Sequence, residues 1–479
     1  VSQGGQIDFG VSVANYMKNP GVTWTLSPAS GGGSLIDATP TLGVIYVAPA
    51  TVSAPTTVTL RATSLENAAA TASLQITVLP SSGGPNVAII DVDGGPVPGQ
   101  TYLNGAFTAV TICNPGSTTA CQTIGGILVD TGSYGLRILQ SEIPLLKITP
   151  LVDGNGDTLE NCASSPDGSY LWGPVAAFDI YIAGEMASSS VVQVISSSNI
   201  AVPDSCSNGG TTNQNTPQLL GANGILGVGP EPTDCTIAGV NYCDGSVQPI
   251  PPNIYYTCPA IGCATTDSSL IVPDDMQVTN PVLSLFQVIN GTSDNNGVIL
   301  QLPAVSGTQA AVSGTMIFGI GTETNNQLGT ATVFTLDSSD NFTTLYKEQT
   351  LTSSFIDSGS NALYFPDVLP TCADKPLFYC PASLTSLSAT DAGANQTQTL
   401  VPFSVDNADS LFSSNPGDAA FGTLAGPQGT FNSCSQGSGS CTFDWGLPFF
   451  YGRSVYTHID ACAPARAACT PQNGAWWAY

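Results

Sequence analysis

The strongest constraint on the fold is an internal echo. Ile127-Leu-Val-Asp130-Thr131-Gly132-Ser133 returns as Ser354-Phe-Ile-Asp357-Ser358-Gly359-Ser360, with the two Asp residues 227 positions apart (357 − 130). Each copy closes an apolar run, turns through Asp-[Thr/Ser]-Gly-Ser, and opens a second apolar stretch: Gly135-Leu-Arg-Ile-Leu139 or Ala362-Leu-Tyr-Phe-Pro366. Asp and Gly are ordinary turn residues, so one copy alone says little. Two copies, each set between strands, imply two related half-structures that each deliver a carboxylate at a strand-to-strand turn.

The composition agrees with a chain built of strands. Gly (51) and Pro (35) are abundant among the 479 residues, and long runs of helix formers are missing. Short alternating stretches between Gly, Pro and Ser turns read as all-β. The best helix candidate is Pro281–Ile289, where Asn280 would cap and Pro281 would take the first helical position. Only 9% of residues are charged, against roughly a quarter in ordinary domains, and 8 Lys+Arg face 34 Asp+Glu, a net charge of −26. So few cations exclude a nucleic-acid partner that needs a basic surface, and an anionic membrane would repel the chain. No apolar run reaches the ~20 residues of a membrane span.

The fourteen Cys are even in number and absent before Cys113. Most form close pairs: Cys113/Cys121, Cys235/Cys243, Cys258/Cys263, Cys372/Cys380, Cys434/Cys441 and Cys462/Cys469. Without a C-x-x-C pair and with a single His, disulfides in an oxidising compartment explain them better than zinc. Cys162 and Cys206 then pair by elimination. The expected location is secreted or cell-surface, with a signal peptide removed ahead of Val1.

Residues 1–80 show five alternating stretches around Val22-Thr-Trp24 and Tyr46-Val-Ala-Pro49, the spacing of an immunoglobulin-like β-sandwich. They resemble bacterial immunoglobulin-like domains and would act as a spacer. Leu79–Pro85 reads as a linker, and 230–270, rich in Pro and Cys, as a disulfide-stapled insertion.

On the doubled Asp-[Thr/Ser]-Gly-Ser motif, residues 86–461 resemble the pepsin-like aspartic peptidases, and in particular a bacterial family of secreted pepsin-like proteins of uncharacterised function. Asn223-Gly-Ile225-Leu226-Gly227 is similar to the apolar-apolar-Gly segment that follows the first Asp loop of that family. Phe449-Phe-Tyr-Gly452 is similar to the second. The resemblance implies a bilobal all-β fold of double-ψ β-barrel type, with an N-lobe over 81–290, a C-lobe over 291–461, and a disulfide loop and aromatic tail over 462–479. It implies an endopeptidase acting on an extended peptide or protein substrate at acid pH through Asp130 and Asp357, with no metal and no cofactor. Thr131 and Ser358 would cross-bond the loops, Gly132 and Gly359 would admit backbone N–H groups to the carboxylates, and Ser133 and Ser360 would donate to their outer oxygens. Tyr170, or else Trp172, would cover the substrate from a flap, although Pro174 and a short tip depart from the family pattern. The alternative is a pepsin-like binding or structural protein without turnover.

Three further features carry rival readings. His458 is the only histidine, so any Ser-His-Asp or His–metal site must use it; a packing role is the expectation. Asp153-Gly-Asn155-Gly-Asp157 spaces oxygens like the start of a calcium loop but lacks its later residues, so a tight turn is expected. The tail Gly474-Ala-Trp-Trp-Ala-Tyr479 is either a last strand on the body or a docking segment for a homo-oligomer. The scarcity of Lys and Arg also suits acid conditions, where a chain with few cations avoids positive self-repulsion.

Overall fold

The computed structural model describes residues 6–14, 18, 21–36, 43–49, 52, 56–78, 84–117, 120–165, 168–196, 202–207, 212–247, 254–259, 263, 270–287, 291–428, 442–460 and 474–479. Among them the chain is predominantly β, and the longest helix, Ala408–Ser414, has 7 residues. None is long and apolar enough to cross a membrane.

The N-terminal strands form two three-stranded antiparallel sheets. Gly43–Val47 lies between Gln6–Gly10 and Ser34–Ile36; Thr56–Ser64 lies between Val22–Ser27 and Thr71–Val78. Alternation along Thr56–Ser64 turns one of its faces inward. Val44 and Tyr46 from one sheet and Val58, Leu60, Ile76 and Val78 from the other share one core, with Trp24 half-buried against it. The Leu79–Pro85 linker falls largely outside the described residues.

The next strands close on themselves. In order, Tyr170–Ile182, Glu185–Ile195, Tyr134–Leu139, Gly224–Val228, Cys121–Asp130 and Phe107–Cys113 are neighbours, and Phe107–Cys113 pairs back to Tyr170–Ile182 through Ile112↔Ile180. The result is a barrel-like ring. Its central strands are buried on both faces, which is why Cys121–Asp130 and Tyr134–Leu139 read as near-continuous apolar runs. The sheet then crosses into the second half of the chain: Val87–Val92 pairs with Val312–Phe318, followed by Gly297–Gln301, Ser454–His458, Trp476–Ala478 and Val333–Thr335. A separate seven-stranded sheet uses only later residues, with Gln349–Ile356, Asp444–Trp445 and Leu363–Phe365 adjacent in it. Tyr346, Phe365, Phe403, Phe443 and Trp445 build an aromatic core on it, with Phe443 and Trp445 stacked at 3.9 Å.

Five disulfides are present among the described residues: Cys113–Cys121, Cys162–Cys206, Cys235–Cys243, Cys258–Cys263 and Cys372–Cys380. These are the pairs expected from spacing and elimination. Cys434, Cys441, Cys462 and Cys469 lie outside the described residues. Such bridges fit an extracellular protein.

One expectation needs correction, and one open choice is decided. Pro281–Ile289 is not a helix: the Asn280 side chain caps a single 3-10 turn, Pro281–Ser284, and Leu285 then turns extended. Phe286–Gln287 instead pairs with Glu185–Met186, which gives its backbone groups partners. The aromatic tail takes the first of its two readings, a last strand on the body. Trp476–Ala478 is inserted between Ser454–His458 and Val333–Thr335, Trp477 is buried, and Tyr479 stacks on Phe334 at 5.0 Å. Those rings have their apolar partners within the chain. His458 packs in the same place, stacked on Trp476 at 4.7 Å, with Nδ1 donating to the Gly474 carbonyl at 3.0 Å.

Candidate active site

Each Asp sits at the mouth of a three-strand arrangement. Cys121–Asp130 enters, Tyr134–Leu139 leaves, and Gly224–Val228 runs between them, parallel to the first and antiparallel to the second. Gly227 stands opposite both Asp130 and Gly135. A Cβ on Gly227 would lie 2.5 Å from the Tyr134 nitrogen, so only glycine lets the middle strand pass so close. Ile225 and Leu226 flank this step; Leu226 enters the barrel core and Ile225 packs half-buried on the opposite side.

The second half repeats the plan. Gln349–Ile356 enters, Leu363–Phe365 leaves, and Asp444–Trp445 runs between, parallel to one and antiparallel to the other. The middle strand corrects the sequence reading, which placed the second apolar-Gly step at Gly452. Gly452 lies beyond the Leu447–Phe450 turn, against Ala304. The glycine that approaches the Asp loop is Gly446, where a Cβ would lie 2.1 Å from the Ala362 oxygen. The signal was Trp445-Gly446, an apolar-Gly step hidden because Asp444 occupies the position held by an apolar residue in the first half.

The two loops meet face to face. A Cβ on Gly132 would lie 2.6 Å from the Asp357 carboxyl carbon, and one on Gly359 would lie 2.6 Å from Asp130 Oδ1. Within each loop the glycine N–H donates to the inner oxygen of its Asp, at 2.8 Å for Gly132 and 2.7 Å for Gly359. The serine hydroxyl donates to the outer oxygen, at 2.5 Å for Ser133 and 2.8 Å for Ser360. Between loops, Thr131 Oγ1 accepts from the Ser358 N–H (2.9 Å) and donates to the Ile356 carbonyl (3.0 Å). Ser358 Oγ accepts from the Thr131 N–H (3.0 Å) and donates to the Val129 carbonyl (2.7 Å). Both hydroxyl residues are fully buried, whereas Asp130 and Asp357 are half-buried.

The inner oxygens of the two carboxyls flank one glycine: a Cβ on Gly359 would lie 2.6 Å from Asp130 Oδ1 and 3.1 Å from Asp357 Oδ1. Burial, then the charges of Asp130 and Asp444, push the Asp357 carboxyl well above the usual carboxylate range. Asp444 is the residue that sequence reasoning missed. It is buried, and its Oδ2 lies 2.7 Å from Ser360 Oγ, within hydrogen-bond distance. Strand alternation explains its aim: Phe443 and Trp445 turn into the aromatic core, so Asp444 faces the other way, toward the loop.

The flap candidates stand elsewhere. Thr158–Ser164 and Tyr170–Ile182 form a hairpin, with Tyr170 opposite Ser164 and Trp172 opposite Cys162. Both aromatics are buried with Cys162, Cys206, Tyr256 and Cys258, and Trp172 meets Tyr256 edge-on at 5.2 Å. A ring packed among two disulfides is not free to close over a cleft. Tyr255–Cys258, from the 230–270 insertion, adds a third strand to the hairpin and stiffens it further. Asp153, Asn155 and Asp157 form a tight turn: Asp153 Oδ1 accepts from the Asn155 and Asp157 N–H groups at 2.8 and 3.0 Å.

A chain that frames two carboxylates in this way matches, over residues 82–479, the family model described as "Protein of unknown function (DUF3443)". The chain belongs to that family, and the two N-terminal sheets lie outside the match. No curated protein matches the chain. Among solved structures it is similar to an aspartic proteinase from Irpex lacteus, with 14% identity, a TM-score of 0.41, and coverage of 82% of this chain and 96% of that one.

Proposed function

We propose that this protein is a secreted aspartic endopeptidase of pepsin-like, bilobal form, with Asp130 and Asp357 as its catalytic residues and an immunoglobulin-like spacer at its N-terminus. The observation that carries the reading is reciprocal: each loop sets its glycine against the carboxyl group of the other. Two carboxylates so close cannot both ionise cheaply, so they share one proton, and the titration belongs to the pair; the aspartic-protease dyad is the standard example of that behaviour. The ionised member takes a proton from a bound water, which attacks the scissile carbonyl. The protonated member donates to the carbonyl oxygen, and the roles reverse to protonate the leaving amine. The Gly132 and Gly359 N–H groups hold the inner oxygens, and Ser133 and Ser360 the outer ones. The substrate is an extended peptide lying across the two Asp loops, and acid pH favours the singly protonated pair.

A second reading, a binding protein of the same fold without turnover, draws on one observation. Tyr170 and Trp172 are packed into the hairpin, leaving neither ring to cover a substrate. Cleavage of an unfolded protein at about pH 4 separates the two. Wild type is expected to cut, while Asp130→Asn and Asp357→Asn lose on the order of 10²–10⁴-fold in rate. Equal rates in all three proteins would refute the assignment.

A further inference from the structure

The Ser360 hydroxyl stands between two carboxyl groups. Its Oγ is 2.8 Å from Asp357 Oδ2 and 2.7 Å from Asp444 Oδ2. A hydroxyl has one hydrogen to donate. Two ionised oxygens at these distances would leave one of them facing a lone pair. The arrangement is satisfied when Asp444 is a neutral acid: its Oδ2–H donates to Ser360 Oγ, and the Ser360 hydrogen goes on to Asp357 Oδ2. Asp444 Oδ1 is buried and has no hydrogen-bond partner, which costs far less as the carbonyl of an acid than as half of a carboxylate.

The surroundings point the same way. Asp444 faces Ser360 and Asp357 from the loop between Gln349–Ile356 and Leu363–Phe365, Asp130 from the opposite half, and Tyr364 from its neighbouring strand. Tyr364 donates its own hydrogen to Asn361 Oδ1 at 2.7 Å. No lysine, arginine or histidine among the described residues offsets the charge. Burial, reinforced by Asp130, pushes the Asp444 carboxyl up to about 8.

We propose that Asp444 is a positioning residue that stores a proton for the dyad and passes it through Ser360. This inference rests on the dyad reading of Asp130 and Asp357. The three carboxyls then hold two protons at rest, one shared by the dyad and one on Asp444. When the dyad loses its proton to the medium, the Asp444 proton moves to Ser360 Oγ as the Ser360 proton moves to Asp357 Oδ2. One proton leaves Asp444 and one arrives at Asp357; Ser360 is unchanged, and Asp444 becomes a carboxylate that accepts from it. The dyad stays singly protonated to higher pH than it would alone. The first half has no such store, because Ile225 occupies the matching place.

Two measurements test this. The first is the pH profile of peptide cleavage for wild type, Asp444→Asn and Asp444→Ile. The amide of Asp444→Asn still donates to Ser360 but carries no transferable proton. Both variants are expected to bring the alkaline limb down by about one pH unit, or roughly tenfold in rate on that limb. An Asp444→Asn limb at the wild-type position would mean that Asp444 supplies only a hydrogen bond, and would overturn the store. The second is independent of turnover: infrared difference spectra of wild type against Asp444→Asn near pH 7. Loss of a protonated-carboxyl band in the variant supports the neutral acid, and its absence overturns the proposal. If the wild type cleaves nothing at any pH, the peptidase reading fails, and the infrared result alone decides whether Asp444 holds its proton.

Discussion

The two Asp loops are built alike and equipped differently. Each has an entering strand, a leaving strand and a glycine-bearing strand threaded between, and each gives its Asp one glycine N–H and one serine hydroxyl. The difference lies on the threaded strand, where the first loop has Ile225 opposite Leu128 and the second has Asp444 opposite Phe355. What the halves share is therefore backbone architecture and direct ligation of the carboxyl. What they do not share is the group behind the serine. Shared features set where the two carboxyls stand, and the unshared one sets how many protons the site holds.

The architecture breaks most easily at its glycines. Gly227→Ala and Gly446→Ala would each force a Cβ into backbone atoms, 2.5 Å from the Tyr134 nitrogen and 2.1 Å from the Ala362 oxygen. Each is expected to cost about 3 kcal/mol, read by denaturant unfolding. Gly452→Ala is the contrast. Its φ of +75° is unfavourable for alanine, but the nearest atom to a Cβ is 3.3 Å away on Ala304, so about 1 kcal/mol is expected. A Gly446 variant as mild as Gly452→Ala would break the equivalence of the two loops.

That same pair of glycines marks where legibility in the sequence ended. The doubled Asp-[Thr/Ser]-Gly-Ser motif survives in sequence because each of its side chains or N–H groups bonds a carboxyl or the opposite loop, so residue types repeat. Gly227 was legible because Ile225 and Leu226 precede it. Gly446 was not, since Asp444 broke the apolar pattern that marks a threaded strand. Four of the five disulfides followed from short spacings, and Cys162–Cys206 by elimination. The burial of Tyr170 and Trp172 could not be read, because it depends on Cys206 and Tyr256 arriving from distant segments. The last strand was ambiguous for a similar reason: Trp476–Ala478 pairs with Val333–Thr335, more than a hundred residues earlier.

The next largest effect comes from the hydroxyls that join the loops. Thr131→Val removes the acceptor of the Ser358 N–H, and Ser358→Ala removes the acceptor of the Thr131 N–H. Each leaves a buried N–H and a buried carbonyl without their partner, at a cost of about 1–3 kcal/mol. Because the two bond pairs mirror each other, the losses should be equal within error in urea titrations. A clear inequality would show that one loop holds the other in place and not the reverse.

The last contrast distinguishes the halves by charge and is read as a slope against pH. Several buried acids are pushed up, chiefly by desolvation: Glu160 and Asp391 to about 7, Asp444 to about 8, Glu185 to about 9 and Glu231 to about 10. In each case the folded value lies above the unfolded one, near 4, so the native state holds protons that the unfolded chain has released. Their contribution to stability is present in full below about pH 4 and is lost as pH rises through the folded values. Thermal unfolding followed by circular dichroism should therefore show Tm falling steadily from about pH 4 to about pH 8. With 8 Lys+Arg in the whole chain, there is little positive charge to build up at the acid end. Asp444→Ile, which gives the second loop the apolar side chain of the first, removes one of these buried acids. It should make the decline of stability between about pH 4 and pH 8 shallower. An unchanged slope would mean that Asp444 is ionised in the folded protein, and that the two halves differ in shape but not in protons held.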